Sequence, residues 1–125
     1  MLFDKELKAY IPTTKPKEAK AFYKDLLGLM LLSEDENALE FRASGILLRL
    51  MIVQELEPQP FAVLGWRVKD ISDMTKSLVV KGISFERYEV LKQDDQGIWK
   101  SPGGSKVAWF KDPDGNILSL TENQV

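Results

Sequence analysis

The chain has 125 residues, enough for one domain of ordinary size with a core that needs no cross-links. Its 44% hydrophobic and 29% charged composition is that of a globular domain, and a net charge of −2 lacks the uncompensated lysine and arginine of a nucleic-acid footprint. Cysteine and histidine are both absent, which excludes disulfides, thiolate and imidazole metal ligands, cysteine nucleophiles and every histidine-containing triad.

The segment Met1–Glu6 is charged from Asp4 onward and carries no apolar run of the signal-peptide kind. The longest apolar stretch, Ile46–Val53, is broken by Arg49 and falls far short of the ~20 residues that cross a bilayer. No membrane partner and a cytoplasmic location are therefore expected. A first strand is predicted over Lys8–Pro12. A helix follows over Pro16–Leu27, with Ala19, Phe22, Tyr23 and Leu26 on one face, Pro16 at its first position and Gly28 as its left-handed stop. Strands then follow at Met30–Ser33, Ala38–Arg42 and Ile46–Val53, the last two joined by the turn Arg42–Gly45.

Pro58 and Pro60 mark Gln54–Ala62 as a linker. Beyond it the order repeats. A strand at Val63–Lys69 leads to a helix capped by Asp70, striped by Ile71, Met74 and Leu78, and ended near Lys81 by Gly82. Strands are predicted at Ile83–Leu91, Lys106–Lys111 and Asn116–Thr121, with Asp112–Gly115 as the last turn. Between the first two of these, Gln93–Ser105 has polar, glycine-rich ends around Ile98 and Trp99, the pattern of a mobile flap with an apolar tip. That tip has two open roles, covering a ligand or packing on a partner subunit. The chain thus reads β-α-β-β-β twice, as module one over about 7–53, a linker over 54–62 and module two over about 63–122.

Three segments carry a family resemblance: Ala21-Phe22-Tyr23-Lys24-Asp25-Leu26-Leu27-Gly28-Leu29, Trp66-Arg67-Val68-Lys69-Asp70-Ile71, and Val107-Ala108-Trp109-Phe110-Lys111-Asp112-Pro113-Asp114-Gly115-Asn116. Over nearly its whole length the chain resembles the vicinal oxygen chelate superfamily, which includes glyoxalases, bleomycin-resistance proteins and extradiol dioxygenases. The resemblance implies an α+β fold of two βαβββ modules forming curled mixed sheets around a shared cavity, in a homodimer. The motif residues themselves have scaffold roles: Phe22 and Tyr23 anchor the helix, and Asp112–Asn116 turns a hairpin.

In the superfamily's metalloenzymes a divalent metal is bound from four strand positions, which the resemblance places here at Lys8, Arg49, Val63 and Ser119. An ammonium, a guanidinium, an isopropyl group and a neutral hydroxyl are a poor donor set for zinc or iron. No metal and no other cofactor is expected at those positions. An all-oxygen site elsewhere, from Glu40, Glu122, Asp112 or Asp114, stays open and would favour Mg, Ca or Mn.

Strand alternation places Glu6, Tyr10 and Pro12 on the face of Lys8, and Leu47, Met51 and Val53 on that of Arg49. It places Gly65 and Arg67 with Val63, Ile117 and Thr121 with Ser119, and Val107 with Trp109, while Trp66 is a core residue. Lys8, Tyr10, Arg49, Met51, Val63, Trp99, Trp109 and Ser119 are thus the candidate ligand-binding residues, an apolar lining with a few orienting polar groups. Two readings of the cations stay open. Arg49 binds a ligand or pairs with Glu40 on the neighbouring strand, and Lys8 binds a ligand or extends to solvent. The expected function is binding or sequestering a small, partly aromatic, anionic organic molecule, with no catalytic residue assigned. The alternative is a lyase, isomerase or dioxygenase-like enzyme of the same superfamily, with or without a metal.

Overall fold

The structure is a computed structural model that describes residues 1–123. Contacts divide the chain into a first unit, Met1–Glu57, and a second that begins at Pro58. Each unit holds one four-stranded mixed sheet, and the two sheets have the same strand order.

In the first unit β1 (Leu7–Thr13) runs into a helical segment and then into β2 (Met30–Glu34), β3 (Ala38–Ala43) and β4 (Ile46–Ile52). The sheet order is β1-β4-β3-β2, with β1 parallel to β4 and the other neighbours antiparallel. A parallel pair requires a crossover, and the helical segment provides it. One sheet face is apolar: Ile11, Leu39, Phe41, Leu48 and Leu50 are buried, as are Ala19, Phe22 and Tyr23 of the helical segment. Burying each large side chain contributes roughly 1.5–3 kcal/mol, so this face supplies the unit's core. Ser44 takes a left-handed φ of 56° to close the tight β3–β4 turn.

The single helix expected over Pro16–Leu27 is two pieces. α1 spans Pro16–Lys20, and Ala21–Leu26 is a π-helix, closed by the Leu27 N–H donating to the Phe22 carbonyl at 3.0 Å. Phe22 and Tyr23 are adjacent in sequence yet both buried, with rings 5.1 Å apart edge to face, and Tyr23 lies 6.0 Å from Phe41. The i→i+5 bond from Leu27 to Phe22 marks the π turn, a form seen as single turns within helices. Gly28 ends the segment with φ 75°, as expected of its position.

In the second unit β5 (Ala62–Arg67) leads to α2 (Ile71–Val80), then β6 (Trp99–Lys100), β7 (Lys106–Lys111) and β8 (Ile117–Glu122), in sheet order β5-β8-β7-β6. Asp70 caps α2, its carboxylate accepting from the Asp73 N–H at 3.1 Å. The buried stripe of α2 is Ile71, Thr75 and Leu78, with Met74 38% exposed. The expected stripe took Met74 because Thr75 is polar. Thr75 is buried because its hydroxyl donates to the Ser72 carbonyl and accepts from Gln96 Nε2.

The strand expected over Ile83–Leu91 does not form. Only Phe85 makes an isolated bridge, to Phe110, and the fourth strand of this sheet is instead the two-residue β6, inside the segment expected to be a flap. Gln93 explains the change. Its side chain accepts from the Tyr88 N–H at 2.7 Å and donates to the carbonyls of Glu86 at 3.0 Å and Gly97 at 2.8 Å. It therefore takes backbone groups that a strand ladder would have used. The flap is also tied down: Ile98 is buried, and Gln96 bonds Ser72 and Thr75 of α2.

Candidate functional site

The face of the first sheet opposite its core carries the charged candidates. Pairing places Tyr10, Arg49 and Glu40 side by side across β1, β4 and β3, with Lys8 beside Leu47 and with Met51 between Pro12 and Ala38. Glu40 joins the cations: one carboxylate oxygen, Oε2, lies 3.3 Å from Arg49 Nη1 and 3.4 Å from Lys8 Nζ. Lys8 also stands 5.9 Å from the centre of the Tyr10 ring, within cation–π range. At the end of this face Arg42 pairs with Glu6 at 2.6 Å. Arg49 thus makes the cross-strand pair with Glu40, and Lys8 joins the same carboxylate, a contact neither of its readings included. The Arg49–Glu40 contact was legible as a cross-strand pair, whereas the Lys8–Glu40 contact was not, because it needs the parallel register of β1 on β4. On the β2–β3 connection, Asp35 accepts from the N–H groups of Asn37 at 2.8 Å and Ala38 at 3.0 Å. These bonds, with a smaller contribution from Arg49, hold its carboxyl below the usual carboxylate range.

The second sheet carries the aromatic candidates. Ser119 of β8 is flanked by Gly65 of β5 and Trp109 of β7, and Trp99 of β6 pairs with Val107. Alternation therefore puts Val107, Trp109, Ser119 and Gly65 on one face, and Trp99, expected at a flap tip, joins them through β6. The indole of Trp109 lies 6.1 Å from that of Trp99 at a 34° tilt and 5.5 Å from the Tyr88 ring at 82°. Trp66 points the other way and stacks on Phe110 at 6.5 Å. Tyr88 was missed, since its segment was expected to be a strand and no signal distinguished this ring from a core aromatic. Burial, aided by the nearby Glu86, pushes its phenol above the ordinary tyrosine range.

Val63 is the candidate the structure does not bring to either group. The pairing of β5 with β8 slips between Ala62 and Leu64, so Val63 has no register partner and is 38% exposed. Such an irregularity breaks the alternation that assigned it to the face of Gly65. On the opposite, α2 side of this sheet lies a depression of about 540 Å³ lined by Lys92, Lys100, Lys106 and Glu122 among others, away from Trp109 and Ser119.

The residues at the superfamily's metal positions do not fit a divalent cation. Lys8 and Arg49 are cations engaged with Glu40, Val63 offers no donor, and Ser119 offers a neutral hydroxyl. The all-oxygen alternative finds no support, because no group of three or more acidic side chains among the described residues is placed to hold an ion. Glu122 instead accepts from the Ile71 N–H and pairs with Lys106, and Asp112 bonds the N–H groups of Asp114 and Asn116 and the Asn116 amide.

The sequence profile of the Glyoxalase/Bleomycin resistance protein/Dioxygenase superfamily matches residues 7–120. No curated protein matches the chain in sequence. Among solved structures, lactoylglutathione lyase from Agrobacterium tumefaciens superposes with a TM-score of 0.74 at 17% identity, covering 94% of this chain and 92% of the other. A glyoxalase/bleomycin resistance protein/dioxygenase from Alicyclobacillus acidocaldarius gives 0.73 at 19% identity, covering 98% and 93%. A glyoxalase family protein from Enterococcus faecalis gives 0.70 at 25% identity, covering 98% and 100%. Similarity at this level establishes the shared fold. With the profile spanning most of its length, the chain belongs to the Glyoxalase/Bleomycin resistance protein/Dioxygenase superfamily.

Proposed function

We propose that this protein is a binding member of its superfamily that holds a small, partly aromatic, anionic organic molecule without a metal, and that it acts as a homodimer. The observation that carries this proposal is the pair of cations, Lys8 and Arg49, standing on a strand face beside Tyr10 and Met51 with one carboxylate between them. Guanidinium and ammonium groups left with donors to offer suit a carboxylate or similar anion. The Tyr10 ring on the same face offers flat surface to an aromatic body, and the second sheet carries an aromatic surface of its own in Trp99 and Trp109. Sequestration needs no proton-transfer group. Catalysis by general acid or base needs one tuned near neutrality. Asp35 and Tyr88 are both displaced away from neutrality, one downward and one upward. The lyase activity of the Agrobacterium neighbour is not carried over, because the donor set for a metal is missing here.

Calorimetric titration with naphthalene-2-carboxylate tests the proposal. Saturable binding is expected, weakened about tenfold or more by Arg49→Met. Equal affinity in the wild type and Arg49→Met, or binding in neither, would sink the assignment of this face.

A further inference from the structure

Glu40 is placed where it limits how much negative charge the cation cluster attracts. Its Oε2 alone meets both Arg49 Nη1 and Lys8 Nζ, so each contact is single, and the two-pronged guanidinium–carboxylate fork is not formed. Among the described residues the Arg49 side chain makes no hydrogen bond besides this one, so its remaining guanidinium N–H groups are open to a second acceptor. Two cations and one carboxylate leave the cluster a single positive charge. Glu40 has the least exposed side chain of the three, at 18% against 35% for Arg49 and 39% for Lys8, so its charge is the least screened by water. Asp35, an acid within the field of Arg49, lies open to solvent and is screened accordingly.

We propose that Glu40 sets the charge selectivity of this face, which takes a monoanionic carboxylate and discriminates against dianions of the same size. The inference deepens the functional proposal and rests on this face being the ligand site. A ligand carboxylate approaching the open edge of Arg49 neutralises the surplus charge. A second negative group meets Glu40 once Arg49 and Lys8 are both engaged, because Arg42, the further cation on this face, is already paired with Glu6. Glu40 is thus a specificity-determining residue whose role is repulsive, the element that pure attraction between cations and an anion would lack.

Three probes with one aromatic body separate charge from shape: 2-naphthalenemethanol, naphthalene-2-carboxylate and naphthalene-2,6-dicarboxylate, titrated at neutral pH into the wild type and Glu40→Gln. The wild type is expected to bind the monoanion best. Glu40→Gln is expected to gain about tenfold for the monoanion and more for the dianion, with the neutral alcohol unchanged. Glu40→Asp keeps the charge and is expected to keep the wild-type order, which separates charge from packing, and thermal melts confirm that each variant is folded. An unchanged ratio of dianion to monoanion affinity in folded Glu40→Gln would overturn the role of Glu40 while leaving the ligand site standing. Failure of both anions to bind either the wild type or Glu40→Gln would instead overturn the functional proposal, and this one with it.

Discussion

Gly65 and Ser119 are paired across β5 and β8, and their contact depends on the absence of one side chain. A Cβ built on Gly65 would stand 2.5 Å from Ser119 Oγ and 3.3 Å from the Ser119 carbonyl oxygen. The hydroxyl therefore occupies the room that only glycine leaves. Gly65→Ala is expected to cost about 1–3 kcal/mol and to drive the Ser119 hydroxyl from its position beside Trp109. Adding Ser119→Ala should recover more than half of that loss in urea unfolding, the remainder belonging to the carbonyl contact. Strictly additive losses in the double variant would show that the two positions do not interact. The face of Ser119 was legible in the sequence, because alternation along Ile117–Glu122 leaves no choice once Leu118 and Leu120 are core. The close approach was not, since a glycine in a strand names neither its neighbour nor its distance.

Among the elements, the segment between α2 and β7 shows side-chain hydrogen bonds overriding a strand pattern. Ile83, Phe85 and Tyr88 gave it apolar character, but Gln93 bonds the backbone at three points, Glu86, Tyr88 and Gly97. With each part-buried bond worth roughly 0.5–1.5 kcal/mol, Gln93→Ala is expected to lower stability by about 2–4 kcal/mol. It should also raise hydrogen exchange at the Tyr88 amide, and wild-type protection there in the variant would show that the anchor lies elsewhere. Sequence periodicity located seven of the eight strands because each packs an alternating face on a helix or a neighbour. It missed β6 because two residues, Trp99 and Lys100, carry no period at all. The division of the first helix was hidden for a related reason: α and π turns bury the same residues over so short a run, and only the backbone bond from Leu27 to Phe22 distinguishes them.

At the scale of the whole molecule, the duplicated topology was the most legible feature, since the orders β1-β4-β3-β2 and β5-β8-β7-β6 follow from one pattern written twice. What the repeat left undetermined was how the acidic side chains are used, and this bears on metal chemistry. Glu40 holds Lys8 and Arg49, Glu122 holds the start of α2 and Lys106, and Asp112 closes the β7–β8 turn. Asp94 accepts from the N–H groups of Gln96 and Ile98, and Asp35 from those of Asn37 and Ala38. A divalent ion taken up by any of these five acids would have to displace such contacts, and its binding energy would be reduced by what they contribute. A ligand that binds only the native state raises the melting temperature, the added stability growing with the logarithm of its concentration above Kd. Millimolar manganese, magnesium or zinc is therefore expected to leave the melt of the purified protein in place, as is excess chelator. A melt raised by several degrees with manganese, and restored by chelator, would mean that acidic side chains assemble a site on demand, and would favour the enzyme alternative over sequestration.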